Sequence, residues 1–224
     1  MSTFILGLDL GQTHDYSALI VTEKITPEAP EARPHYDVRH IHRFELGTSY
    51  PAIVDASVAT LQRPELGSDV RLIIDGTGVG RAPVDLLRAR VGKMAHPVTI
   101  TGGDTVSEAE DGYLRVPKRD LVGVVQVLLQ SKRLRFAQGL QLVSLLTKEL
   151  TGFQVKIDPQ TAHDSYGQWR TGQHDDLVLA LALAVWAGEN PVHFQQRGPV
   201  ALPRITGVAI PKRKDRDYFS RDRR

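Results

Sequence analysis

The chain has 224 residues, 41% of them hydrophobic and 24% charged, with a formal net charge of +2 and no cysteine. That length is enough for one compact domain with a sizeable core, with or without a tail. The lack of cysteine excludes disulfides, thiolate zinc sites and thiol catalysis, and no apolar run approaches the roughly 18 residues of a membrane span. The first apolar residues have no basic flank, so no signal peptide is expected and a cytoplasmic protein is. The charge is uneven. From Arg204 to the end, eight Lys and Arg face three Asp, a net of +5, whereas the rest of the chain carries −3. A basic tail over 191–224 is therefore expected to touch phosphates or to remain a solvated terminus, and the body over 1–190 is expected to fold as one domain.

In chain order, residues 4–10 read as a first strand and Tyr16 to Glu23 as a second, joined by the loop Gly11-Gln12-Thr13-His14-Asp15. Pro27, Pro30 and Pro34 mark a loop. From Tyr36 to Phe44, the residues Tyr36, Val38, His40 and His42 alternate with Asp37, Arg39, Ile41 and Arg43, as in a third strand with one wet face. Short connections make the three an antiparallel meander. Pro51 opens an amphipathic helix with Ile53, Val54, Val58 and Leu61 on one face. Leu72-Ile73-Ile74-Asp75 then reads as a buried strand ending on a carboxylate, followed by the turn Gly76-Thr77-Gly78-Val79-Gly80.

A helix from about Pro83 to Val91 and a fifth strand from Pro97 to Thr101 follow. Residues 102–115 lack periodicity and read as a mobile acidic loop. Pro117 suits the first turn of a helix whose buried face carries Leu121, Val122, Val124, Val125, Leu128 and Leu129. A further amphipathic helix carries Leu142, Val143, Leu145, Leu146 and Leu150. After a polar stretch, His174-Asp175-Asp176 opens a helix apolar on all sides from Leu177 to Trp186, so it is expected to be buried. The result is an α/β fold: a mixed five-stranded sheet, its first three strands antiparallel, flanked by helices. The first βα turn carries no G-x-G-x-x-G, which argues against a dinucleotide fold.

Three separated acidic points, each on a rigid apolar element, carry the chemistry. Asp9 lies inside the apolar first strand, where an unpaired buried carboxylate is costly, and Asp75 ends the fourth. Each acid alone has a plain structural use, Asp9 and Asp75 in turns and Asp175 or Asp176 as a helix cap. Together, with no Cys and few His nearby, they suit magnesium or manganese. Two such ions about 3.5–4 Å apart can activate water and stabilise the leaving oxygen in phosphodiester cleavage. Thr77 is placed to hydrogen-bond a carboxylate or a phosphate. His14 and His174 neighbour the acids and are open to proton transfer, phosphate contact or a structural role. Lys118, Arg119, Lys132, Arg133 and Arg135 either line a DNA groove or form a solvated face. Trp169 and Trp186 read as packing residues.

In this order and spacing, Gly7-Leu8-Asp9-Leu10-Gly11 with Asp15-Tyr16-Ser17-Ala18, Asp75-Gly76-Thr77-Gly78-Val79-Gly80, Pro117-Lys118, Lys148-Glu149-Leu150 and His174-Asp175-Asp176-Leu177 resemble the nuclease domain of phage terminase large subunits. The resemblance spans roughly residues 4–187. It implies a ribonuclease H-like fold and a two-metal endonuclease, using Mg²⁺ or Mn²⁺, that cuts concatemeric double-stranded viral DNA during genome packaging. It also implies Asp9, Asp75 and Asp176 as catalytic metal ligands, with Asp175 assisting and Asp15 as an outer acid. Arg133, Lys118, Arg119 and, in the tail, Lys212, Arg213 and Lys214 are candidate DNA contacts. The expected partners are duplex DNA and a packaging ATPase or other terminase and portal components, in the host cytoplasm if the chain is phage-encoded, with no membrane. No G-x-x-x-x-G-K-[ST] occurs, so the packaging motor is not in this sequence. Three alternatives stay open: a resolvase- or transposase-type nuclease of the same fold, an actin- or sugar-kinase-like ATPase fragment suggested by Gly7-Leu8-Asp9-Leu10-Gly11-Gln12-Thr13, and a silent DNA-binding module.

Overall fold

The computed structural model describes residues 2–11, 15–29, 31–78, 81–152 and 175–194. Strands β1 (Ser2–Asp9), β2 (Ala18–Ile25) and β3 (His35–Arg43) form the expected antiparallel meander. Helix α1 (Tyr50–Leu61) starts at a Ser49 hydroxyl that accepts from the Ala52 N–H, with Pro51 in its first turn. Strand β4 (Val70–Asp75) then lies parallel to β1 on the side away from β2. After α2 (Ala82–Val91), β5 (Ala95–Thr101) runs parallel to β4. Two short strands follow, β6 (Ser107–Glu108) and β7 (Leu114–Pro117), then α3 (Lys118–Gln130), β8 (Leu134–Phe136), α4 (Val143–Gly152) and α5 (Asp176–Glu189).

The sheet has eight strands in the order β6-β7-β5-β4-β1-β2-β3-β8, not five. The five expected strands are its centre, and the three additions sit at the edges with two to four residues each. Residues 102–115, expected as a mobile acidic loop, instead supply β6 and the start of β7, with Leu114 buried. Two of their four acids are in ion pairs: Asp104 lies 2.7 Å from Arg119, and Asp111 lies 2.7 Å from Arg81.

Strand alternation sorts the core into two layers. Leu6, Leu8, Leu72 and Ile74 face α1 and α2, where Ile53, Val54, Val58 and Leu87 meet them. Ile5 and Ile73 face the other way, onto α5. There Gly7 lets β1 and α5 touch, because a Cβ at that position would overlap the Ala180 carbonyl. Helix α5 is covered by the sheet on one side and by α3 and α4 on the other, which is why its sequence is apolar all round. Its far end is pinned by Lys24, which donates to the Gly188 carbonyl (2.6 Å), and by Tyr36 and Arg133, both 2.7 Å from the Glu189 carboxylate. Past it, Phe194 is buried edge-on against Trp186 and His96, so the packed unit extends to at least Phe194.

Strand β3 departs from the simple alternation in its sequence. Val21 pairs with His40 but Thr22 pairs with Val38, leaving Arg39 as an extra residue in a β-bulge. The bulge flips the face. Tyr36 and Val38 point to the core before it, and Ile41 does so after it, in place of His40 and His42. Arg43, two residues beyond Ile41, is thereby turned to the α5 side.

Candidate metal centre

The same alternation fixes the direction of the acids. Asp9 is two residues past Gly7 on β1, and Asp75 is two past Ile73 on β4, so both project to the α5 face. The parallel register pairs Leu8 with Ile74, which brings the two carboxylates to matching ends of neighbouring strands. Open α/β sheets form sites at such carboxyl ends. Asp176 begins α5 on that face. Asp9, Asp75 and Asp176 are 8%, 6% and 5% exposed, and they are three of the few buried charged residues described.

Burial and mutual repulsion dominate the electrostatics. The Asp9 carboxyl is held well above the usual carboxylate range, first by burial and then by the charges of Asp75, Asp175 and Asp176. Asp75 is also pushed up by burial, against hydrogen bonds from Thr77 and Asp9 and the nearby charge of Lys118. These directions fit a neutral Asp9 donating to an ionised Asp75. Thr77 holds Asp75 from the turn: its backbone N–H donates to Asp75 Oδ1 at 2.8 Å, while its hydroxyl accepts from the Ile100 N–H at 2.7 Å.

Two cations meet the helix-start acids. Arg43 Nη2 is 2.9 Å from Asp176 Oδ1, and its guanidinium lies 3.7 Å above the Tyr16 ring. Lys118 Nζ is 3.1 Å from Asp175 Oδ2. Asp175 occupies the N-cap position of α5, yet its side chain caps nothing. The cap comes from another helix. Glu149 of α4 accepts from the Leu177 N–H at 3.1 Å. It also lies 3.9 Å from Arg43, and burial followed by the charge of Asp176 pushes it up to about 7. Glu149 is thus a fifth carboxylate of the cluster, beside Asp9, Asp75, Asp175 and Asp176, and the sequence alone assigned it no role.

The other expected residues divide. Asp15 is half-buried in the β1–β2 loop, which folds back so closely that a Cβ on Gly11 would overlap the Asp15 and Tyr16 carbonyls. Arg119 is exposed, donating to the Asp104 carbonyl at 3.1 Å and paired with its carboxylate. Arg133 is committed to Glu189 and the Pro34 carbonyl, at the opposite end of α5 from the acids. Lys132, just before β8, and Arg135, within it, are exposed. His14, His174, Trp169, Lys212, Arg213 and Lys214 lie outside the described residues, as does most of the tail.

Among the described residues, no three acidic or imidazole side chains converge closely enough to grip one ion as they stand. In kind, the donors nevertheless fit a hard divalent cation. They are all carboxylate oxygens, they are buried, and burial together with the neighbouring acids raises the Asp9 carboxyl, a penalty that a cation would relieve. Asp9, Asp75 and Asp176 would hold such an ion, with Asp175 and Glu149 at the rim.

No protein-family model matches the sequence, nor does any curated protein. Solved structures do match the fold. The large terminase nuclease from thermophilic phage G20c is 19% identical at a TM-score of 0.50, over 82% of this chain and 81% of that one. The human cytomegalovirus terminase nuclease domain is 13% identical at a TM-score of 0.52, over 85% of this chain and 86% of that one. The chain has the fold of these terminase nuclease domains, the ribonuclease H-like arrangement that its sequence led one to expect.

Proposed function

We propose that this chain is a divalent-metal-dependent endonuclease that cuts concatemeric double-stranded DNA during viral genome packaging. The observation that carries the reading is the pair of buried carboxylates, Asp9 and Asp75, at matched ends of parallel neighbours, facing Asp176 at the start of α5. Bound divalent ions, Mg²⁺ or Mn²⁺ and two in number, would supply an activated water and charge stabilisation at the leaving oxygen. The cytomegalovirus relative, whose structure was soaked with manganese, makes that choice of metal natural. Asp9, Asp75 and Asp176 bind the ions, Asp175 assists, and Thr77 orients the Asp75 carboxylate. Lys118, beside Asp175 and Asp75, and exposed Arg119 would meet the phosphate backbone, which no sequence-reading module accompanies.

The partners that follow are duplex DNA and a packaging ATPase or portal component, in the host cytoplasm if the chain is phage-encoded. Among the described residues no helix is long and apolar enough to cross a membrane. No observation favours the ATPase alternative. Incubating supercoiled plasmid with the protein in Mn²⁺, Mg²⁺ or EDTA tests the proposal. Nicked and linear products that need metal support it, and ATP turnover without DNA cutting would replace it.

A further inference from the structure

We propose that Arg43 is a built-in counter-ion that competes with divalent cation for Asp176 and so sets how tightly the centre takes metal. The inference rests on the metal-site reading above and concerns this chain's own residues. Arg43 is held from three directions: Asp176 Oδ1 at 2.9 Å, Glu149 Oε1 at 3.9 Å, and the Tyr16 ring 3.7 Å beneath the guanidinium plane. The β-bulge at Arg39 puts the side chain on this face. Its side chain is 14% exposed and those of its two acidic partners 6%, so solvent screens these contacts little.

Five carboxylates, Asp9, Asp75, Asp175, Asp176 and Glu149, share this corner with two basic side chains, Arg43 and Lys118. Without Arg43 the buried Asp176 and Glu149 would face each other with far less compensation, so Arg43 stabilises the protein while no metal is bound. The same contact opposes metal. An ion that takes Asp176 must share the carboxylate with a guanidinium or displace it. Glu149, a longer ion pair at 3.9 Å, is the acid that can receive the guanidinium as it moves off Asp176. Removing the charge of Arg43 therefore has two opposite effects: it weakens the metal-free protein and tightens metal binding. A purely structural brace would do only the first.

The test is Mn²⁺ titration by calorimetry on the full chain, alongside thermal melts in EDTA and in Mn²⁺, for the native protein, Arg43→Met, Arg43→Lys and Asp75→Asn. Arg43→Met should melt lower in EDTA, bind Mn²⁺ about tenfold more tightly, and gain more in melting temperature from Mn²⁺ than the native protein. Arg43→Lys should stay close to native. Should Arg43→Met fail to fold, Arg43→Gln, which keeps a donor to Asp176 without the charge, serves in its place with the same expectation. A folded, charge-free variant that binds Mn²⁺ no more tightly than native overturns the counter-ion role. Native protein and Asp75→Asn binding Mn²⁺ alike, or neither binding it, would remove the metal centre itself and the counter-ion role with it.

Discussion

Replacing Glu149 with Gln separates the electrostatics of the acidic corner from its packing. Gln keeps the carbonyl that accepts from the Leu177 N–H but carries no charge. In the native protein the Glu149 carboxyl is raised from 4.5 to about 7 by burial and by Asp176. A group whose folded value is raised contributes stability that is full below its unfolded value and lost as pH rises through its folded value. For Glu149 that window runs from about pH 4.5 to above 7. At about 1.4 kcal/mol per pH unit, the ceiling on the loss is about 3 kcal/mol. The effective dielectric around even a buried charge is well above that of dry protein, which brings the working value to about 1–2 kcal/mol. For a chain of this size that is a difference of roughly 3–6 °C. Glu149→Gln should therefore melt about 3–6 °C above native at pH 8 in EDTA and level with it at pH 4.5. Half-buried His96, held down at about 4, costs stability as pH falls below 6.5, but it does so in both proteins and cancels in the difference. A difference that is the same at both pH values would refute the charge argument and leave a packing effect.

Two further outcomes are expected. Gly7→Ala forces a Cβ into the Ala180 carbonyl on buried α5, so it should cost at least about 2–3 kcal/mol and lower the melting temperature by roughly 5–10 °C; an unchanged melt would mean that β1 and α5 are not in backbone contact. Deleting the residues after Arg204 should weaken duplex DNA binding and flatten its salt dependence if the basic tail meets phosphates, as a gel-shift series across salt concentrations would report. Unchanged affinity at low salt would make the tail a solvated terminus.

The sequence made the centre of this fold legible because its strong signals are local. Leu72-Ile73-Ile74-Asp75 and Phe4 to Asp9 are short β-branched or apolar runs that stop on a carboxylate, and period-two alternation alone puts both acids on one face. An all-round apolar α5 could only be buried. What was hidden depends on tertiary structure or on very short elements. Strands of two to four residues, such as β6 and β8, show no period. The Arg39 bulge changes which face Ile41 and Arg43 occupy, and a simple alternating pattern cannot register one extra residue. Glu149 joins the acids only because α4 packs against the start of α5. Either Asp175 or Asp176 alone read as a helix cap, although two adjacent acids exceed what a cap needs. In the structure the cap is Glu149, which leaves both aspartates to the charge cluster.

The most direct test of the account compares native protein with Asp75→Asn on supercoiled plasmid in Mn²⁺, with melting curves of both in EDTA. The account expects the native protein to cut and Asp75→Asn to be folded, no less stable without metal, and inactive, since the substitution relieves crowding among like charges while removing a metal ligand. A folded Asp75→Asn protein that cuts as fast as native would contradict the proposed centre.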